Sequence, residues 1–478
     1  MAKIGLIPAA GAGMRAYPLT NYIPKVLLDI AGKPIILRNV EILRDKFKIK
    51  TIYVITGYMA EAIKSFLGDG SAYNVEISYI DCDVHAVGLA KGILLAKDLI
   101  QEEFVAVLGD EVYANSDHEV LAAIQTWDFA AACALMHCDD PRLIEKNYTV
   151  TLDGNRITSL IEKPHKPIED ILGCGTYLFT PRIFDAIERT PLSKRSGKVE
   201  LTEAIGTLIR DGEKVAGFFL KGEYHNVNSV EDYNFANYMC RSTLFEKYSV
   251  SVIIPAYNEE ESIAYVVKDF SGKVDEIFVV DNSSRDRTRE VALQAGARVE
   301  TVQLKGYGDT IRYGLEHANG DILVIVEADH SFRAKDLGKF LEYMKDADMV
   351  IGTRTTRQMV EQGANMKGLL RFGNVAVSKL VEVLWWGQEP RFTDVGCTYR
   401  AIWKDTYLKL KDRLQGLGPE FSPEMMIELL RARKRIIEIP ISYYDRASGV
   451  SKHSDNYFKI SKTALKMLRI IFKKRLDF

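Results

Sequence analysis

Three carboxylates stand where an apolar strand gives way to a loop. Asp110 ends FVAVLGD, and Glu327 and Asp329 end ILVIVEAD. In open α/β sheets, ligands sit beyond the carboxyl ends of the strands, where acids can hold Mg²⁺ on a nucleotide's phosphates. A strand-end acid also serves as a turn or helix cap, so its neighbours decide. Ahead of the first acid, Gly11 and Gly13 in GAGMR let backbone N–H groups approach phosphate oxygens with no Cβ in the way. Arg15 follows at once and Lys25 comes ten residues later, two fixed cations suited to a triphosphate and its departing pyrophosphate. The spacing is neither the dinucleotide fingerprint nor a Walker loop.

Short apolar strands must position these groups. KIGLIPAAG and YSVSVIIPAYN each read as a first strand, and strand runs follow each of them (TIYVITG, FVAVLGD; EIFVVDN, DILVIVEAD, DMVIGTR). Amphipathic stretches such as KPIILRNVEILRDKF and RTREVALQAGA separate these runs, the alternation of βαβ units. The 478 residues are therefore expected to form two α/β domains, 1–246 and 247–478.

With 47% apolar and 27% charged residues the chain is globular, and its 63 Lys and Arg against 65 Asp and Glu give no global field for nucleic acid. Six cysteines without a C-x-x-C pair argue against a zinc site or disulfide framework and for a reducing cytoplasm. No apolar run approaches the ~18 residues of a spanning helix, and MAKIGLIPAAGAG lacks a signal peptide's apolar core.

From Lys452 to Phe478 there are eight Lys or Arg against two Asp, a net charge of +6. Lys459, Lys462, Lys466, Arg469 and Lys473 recur at steps of three and four, opposite Ala464, Leu465, Leu468, Ile471 and Phe472. Such a basic amphipathic helix can lie on an anionic leaflet, here the inner face of the cell membrane, or pack its apolar side on its own domain. Trp385 and Trp386 read either as interfacial anchors or as core.

GAGMRAYPLTNYIPKVLLDIAGKPII, with VLGD, IEKP and GCGTYLF further on, resembles the sugar-1-phosphate nucleotidylyltransferases over residues 1 to about 240. The resemblance implies that Arg15 and Lys25 bind the triphosphate and that Asp110 binds Mg²⁺ (or Mn²⁺). It also implies that Glu162, Lys163 and Gly175 hold the sugar phosphate, and that Gly88 lies in the base-reading stretch. Where relatives often carry a second metal-binding Asp, YHNVNSVEDY offers Asn226 or Asn228, and Asn228 is taken as the ligand.

VSVIIPAYNEEESI, IFVVDNSSRDRT and LVIVEADHSF, continued by IGTR, LLRFGN, TDVGCTYRAI and YYDRASGVSK, resemble family 2 glycosyltransferases of the polyprenyl-phosphate mannosyl and glucosyl branch. That resemblance implies nucleoside contacts from Pro255, Tyr257, Glu259 and Asp281, and a metal held by Glu327 and Asp329. A lipid-phosphate acceptor would be clamped by Arg354, Arg371, Arg446 and Lys452, whereas a hydroxyl acceptor would need a base, for which Asp394 is the candidate.

The implied fold is two Rossmann-like (GT-A type) mixed-sheet domains in tandem, followed by the basic helix. The implied function is bifunctional: an NTP and a sugar 1-phosphate become a nucleotide sugar, and sugar passes from a nucleotide sugar to a lipid-phosphate or other cell-envelope glycan acceptor. The alternative makes the first half a nucleotide-sugar sensor, supported only by Asn at the second metal position.

Overall fold

The structure, a computed structural model, describes residues 2–83, 88–123, 128–166, 169–361, 364, 368–388, 390–446 and 457–476. The chain divides into Met1–Thr243 and Leu244–Phe478. The division falls three residues before the expected one because the rings of Phe245 and Tyr248 pack on Trp403 of the second unit, with centroids 6.4 and 4.8 Å away.

The first unit is built on a nine-stranded mixed sheet. Four parallel strands run in the order Glu76–Asp81, Thr51–Thr56, Ile4–Pro8 and Phe104–Val107. Every residue of FVAV is buried, as expected for a strand covered on both faces. Ile171–Phe179 then pairs antiparallel with Phe104–Val107 and with Ala131–His137, and Val215–Phe219, Arg156–Glu162 and Tyr148–Asp153 complete the sheet. A separate two-stranded ribbon sets Glu111–Ala114 against Glu223–Asn226, with Asn226 opposite Glu111. This register carries the asparagine-bearing loop to the acid at the end of Phe104–Val107.

The second unit holds a seven-stranded mixed sheet. Its parallel strands Arg298–Thr301, Glu276–Asp281, Val250–Ala256 and Ile322–Ile325 end on one edge. Arg400–Trp403 runs antiparallel beside the last of these, followed by Met349–Thr353 and Ile436–Pro440.

The tail forms the helix Tyr457–Leu476, and its packing divides the apolar side expected from the sequence. Ile471 and Met467 are buried, while Leu465 and Phe472 face solvent. One of the cations is buried instead: Lys474 reaches Glu424 and Glu428 at 2.9 Å each. The two tryptophans also part, Trp385 entering the core and Trp386 lying exposed. Among the described residues no helix is long and apolar enough to cross a membrane.

Candidate active sites of the two units

In the first unit, one cavity of about 600 Å³ is lined by all the residues expected to act there: Gly11, Gly13, Arg15, Lys25, Gly88, Asp110, Glu162, Lys163, Gly175 and Asn228. The loop after Ile4–Pro8 opens it. Gly13 has φ of 62°, a left-handed conformation, and a Cβ there would meet Lys25 Cβ at 3.0 Å. Its glycine thus serves the fold of the loop, whereas Gly11 faces open space.

Lys25 lies in the buried turn Lys25–Leu27, and its Nζ donates to Asp110 Oδ2 and, at 3.4 Å, to Asn228 Oδ1. Arg15 Nη2 donates to the same Asn228 oxygen at 2.8 Å. Asn228 Nδ2 in turn donates to Asn226 Oδ1, and Asn226 Nδ2 to Glu111 Oε1 at 2.8 Å. Asn228 is therefore the residue that meets the cations and Asn226 stands behind it. Asp232 fixes this loop by accepting from the Asn228 backbone N–H at 3.1 Å and from Lys146 Nζ at 3.2 Å.

Glu111, which the sequence reading passed over, is buried beside Asp110. Burial first, and then the Asp110 charge, push its carboxyl up to about 8. It also explains Gly175, since a Cβ there would lie 2.5 Å from the Glu111 carboxyl. Gly173 is bare for a similar reason: a Cβ would strike the Tyr148 ring at 2.1 Å.

At the Glu162 end of the cavity, Thr202 Oγ1 donates to Glu162 Oε2 at 3.2 Å, and Arg195 reaches Glu162 at 3.6 Å and Glu200 at 3.2 Å. Burial, then Glu200, raise the Glu162 carboxyl above the usual range. Lys163 adopts φ of 50° and donates its backbone N–H to Asn147 O at 2.7 Å. Lys198 also lines the cavity and lies close against Gly88, where a Cβ would meet its own at 3.1 Å. The cluster KRSGK in the sequence was the signal for it.

In the second unit, the pairing Ala256↔Asp281 sets the end of Val250–Ala256 beside the acid of the next strand. Asp281 is buried, accepting from Ser284 N and Thr301 Oγ1 at 3.2 Å each. Pro255 is buried as the last residue but one of the strand Val250–Ala256, Tyr257 is partly exposed beyond it, and Glu259 N donates to Thr288 Oγ1 at 2.7 Å. Glu327 accepts from Thr398 Oγ1 at 2.7 Å, and Tyr307 OH donates to Thr398 at 3.1 Å. Burial, with Asp329 beside it, raises the Glu327 carboxyl.

Three of the expected residues have other partners here. Arg446 does not stand free for an acceptor: its Nη2 lies 3.1 Å from Asp329 Oδ2 and 3.6 Å from Glu327 Oε2. Asp394 is fully buried and accepts from Arg354 Nε, Nη2 and N and from Gly396 N, so its lone pairs are committed and it does not fit a general base. Arg354 is held by the same contacts rather than offered to an acceptor. Arg371 is exposed on the helix Gly368–Leu384, and Lys452 lies outside the described residues.

Among the described residues no group of three or more His, Cys, Asp or Glu converges. The donor sets nevertheless fit a hard divalent cation completed by nucleotide phosphates and water. Asp110 and Asn228 present oxygens to one point, marked by the Lys25 ammonium, and Glu327 and Asp329 present theirs to the Arg446 guanidinium.

Residues 4–242 match the family model described as Nucleotidyl transferase, and residues 251–392 that described as Glycosyl transferase family 2. The chain is 35% identical over 235 residues to the low-salt glycan biosynthesis nucleotidyltransferase Agl11 of Haloferax volcanii, covering 49% of this chain and 64% of that one. It is 32% identical to the UTP–glucose-1-phosphate uridylyltransferase AglF of the same organism, covering 48% of this chain and 92% of that one. Against the bifunctional protein GlmU of Methanocaldococcus jannaschii the identity is 34%, over 48% of this chain and 53% of that one. The chain thus spans about half to two thirds of the length of the first and third of these relatives. A solved UDP-glucose pyrophosphorylase complexed with UDP-glucose aligns with a TM-score of 0.45 at 24% identity, covering 52% of this chain and 100% of that one. The chain belongs to the nucleotidyl transferase family through its first unit, and its second carries the match to glycosyl transferase family 2.

Proposed function

We propose that the first unit joins an NTP to a sugar 1-phosphate, releasing pyrophosphate, and that the second transfers sugar from a nucleotide sugar to a lipid phosphate of the polyprenyl type. The observation that carries the first step is the cavity with Arg15, Lys25 and Asp110 at one end and Glu162 and Lys163 at the other. The sugar phosphate is largely dianionic at neutral pH, because its second pKa is about 6, so it attacks the α-phosphorus without a general base. Arg15 and Lys25 neutralise the charge that develops on the departing pyrophosphate. Glu162 accepts from a sugar hydroxyl, and Lys163 and Lys198 orient the phosphate.

In the second unit, Asp281 and the Pro255–Glu259 segment orient the nucleoside, and Arg446 lies where it can neutralise the leaving diphosphate. An acceptor phosphate is already ionised, which agrees with an Asp394 that is not available as a base. Magnesium or manganese, held by Asp110 and Asn228 in the first unit and by Glu327 and Asp329 in the second, would supply Lewis-acid neutralisation of the phosphates.

The test is to mix the protein with Mg²⁺, each NTP and a panel of sugar 1-phosphates and to follow pyrophosphate. Release with at least one pair is expected. No release with any pair would favour a first unit that only senses nucleotide sugar.

A further inference from the structure

Glu327 and Asp329 each have one oxygen tied down and one turned outward. Asp329 Oδ1 accepts from Ser331 N at 3.0 Å and from Ser331 Oγ at 2.6 Å, and Glu327 Oε1 accepts from Thr398 Oγ1 at 2.7 Å. The other oxygens, Asp329 Oδ2 and Glu327 Oε2, are those that meet the Arg446 guanidinium. Ser331 is two residues from its acid and bonds through its main chain as well, whereas Glu327 depends on a hydroxyl 71 residues away. Glu327 also has one more rotatable bond than an aspartate, so more freedom must be removed to hold its carboxylate in one orientation.

Sheet register brings that hydroxyl to the acid. The strands Ile322–Ile325 and Arg400–Trp403 run antiparallel with Ile325 opposite Arg400, and the same register carried two residues further sets Glu327 opposite Thr398. Thr398 is buried. Its one hydroxyl proton goes to the carboxylate, which leaves its oxygen to accept, and the Tyr307 hydroxyl donates to it at 3.1 Å. Hydroxyls in this order polarise each other and strengthen the bond to Glu327.

Tyr307 is in turn placed by main chain. It opens the helix Tyr307–His317 between two glycines, where a Cβ at Gly306 would lie 2.5 Å from Leu417 O and one at Gly308 would strike Gly416 O. Gly308 N donates to Leu417 O at 2.8 Å, and Gln415 N and Gly416 N donate to the buried Glu424 at 3.0 and 2.6 Å. The start of the helix is thus fixed by a close approach of two backbones, the second of them anchored on Glu424.

We infer that Thr398 and Tyr307 are positioning residues of the second unit: in series, their hydroxyls fix the Glu327 carboxylate so that Oε2 is the oxygen it offers to a divalent cation. The inference rests on the reading above that Glu327 and Asp329 hold that cation. Hydrogen-bond donors behind a metal-binding carboxylate are worth about 10- to 100-fold in metal affinity.

The test is Mn²⁺ binding to the full chain, read from the free-ion signal in electron paramagnetic resonance. Asp110→Ala is present throughout as the parent, to remove the metal site of the first unit. Thr398→Val keeps the shape and deletes the hydroxyl, and should weaken Mn²⁺ binding about 10- to 100-fold. Thr398→Ser keeps the hydroxyl and should bind as the parent does. Tyr307→Phe should weaken binding about threefold, and adding it to Thr398→Val should weaken it no further, because the tyrosine acts only through the threonine. A pair that served stability alone would shift urea unfolding and leave Mn²⁺ affinity unchanged.

Glu327→Ala separates the two ways of failing. Intact Mn²⁺ binding in that variant, or none in the parent, overturns the metal reading and the positioning role with it. Binding lost in Glu327→Ala but equal to the parent in Thr398→Val leaves the metal reading standing and overturns the positioning role. Losses that add in the Tyr307→Phe, Thr398→Val double variant overturn the arrangement in series.

Discussion

Arg354 and Asp394 form a buried two-bond ion pair, Nε to Oδ2 at 2.8 Å and Nη2 to Oδ1 at 2.9 Å. The Asp394 backbone N–H also donates to Glu438 at 2.9 Å, so the segment that carries the aspartate is anchored at both its backbone and its side chain. Replacing Asp394 by Ala leaves a guanidinium buried without its counter-charge, which costs about 3 to 5 kcal/mol. Urea unfolding of the second unit should show that loss. The pair Arg354→Met with Asp394→Leu should regain most of the stability without regaining transfer. Unchanged stability in Asp394→Ala, with transfer lost across the neutral pH range, would instead fit a general base.

Arg446 bridges Glu327 and Asp329, so it competes with any cation for the same oxygens. In Arg446→Met, Mn²⁺ should bind the nucleotide-free protein several-fold more tightly, read from the free-ion signal in electron paramagnetic resonance, while transfer falls. Equal Mn²⁺ affinity in the two proteins would show that the guanidinium does not occupy the metal position.

His118 is buried between Ser116 Oγ at 2.8 Å and Thr176 Oγ1 at 3.2 Å, and burial lowers its pKa from 6.5 to about 4. Within that window the unfolded chain binds the proton that the folded one refuses. Stability of the first unit should therefore rise between pH 4 and 6.5 and be lost as pH falls through the window, by up to roughly 3 kcal/mol. His118→Gln should flatten this slope in denaturant titrations at a series of pH values, whatever its effect on the absolute level. An unaltered slope would assign the pH dependence to other groups.

Lys474 is buried between Glu424 and Glu428, whereas its neighbour Lys473 is exposed. Lys474→Met should cost up to about 3 to 5 kcal/mol by leaving Glu424 buried without a cation, while Glu428 keeps Arg431 at 2.9 Å. Amide exchange should speed up along the helix Tyr457–Leu476, and Lys473→Met should leave it nearly unchanged. Equal effects of the two substitutions would mean that the tail is held by its apolar contacts alone.

Strand runs and their terminal acids were legible because a strand covered on both faces is a continuous apolar run, and FVAVLGD and ILVIVEAD stand out as such. The loop that opens the cavity of the first unit was legible because Gly11, Arg15 and Lys25 are close in sequence. What the sequence hid depended on contacts between distant segments. Glu111 looked like an ordinary strand residue until pairing with Asn226 set it against Gly175. Asp394 read as a free base because nothing in FTDVG discloses that Arg354, forty residues earlier, occupies both its oxygens. The tail's helical periodicity named its apolar residues but not which of them would face Glu424 and Glu428, so Leu465 and Ile471 seemed equivalent although one is exposed and the other buried.

Two separate transferase sites require that each activity fail alone. Pyrophosphate release from NTP and sugar 1-phosphate, and sugar transfer from supplied nucleotide sugar to a polyprenyl phosphate, should be measured side by side in Asp110→Ala and Asp329→Ala. The first variant should lose release and keep transfer, and the second should lose transfer and keep release. Loss of both activities in either folded variant would contradict the assignment of one site to each unit.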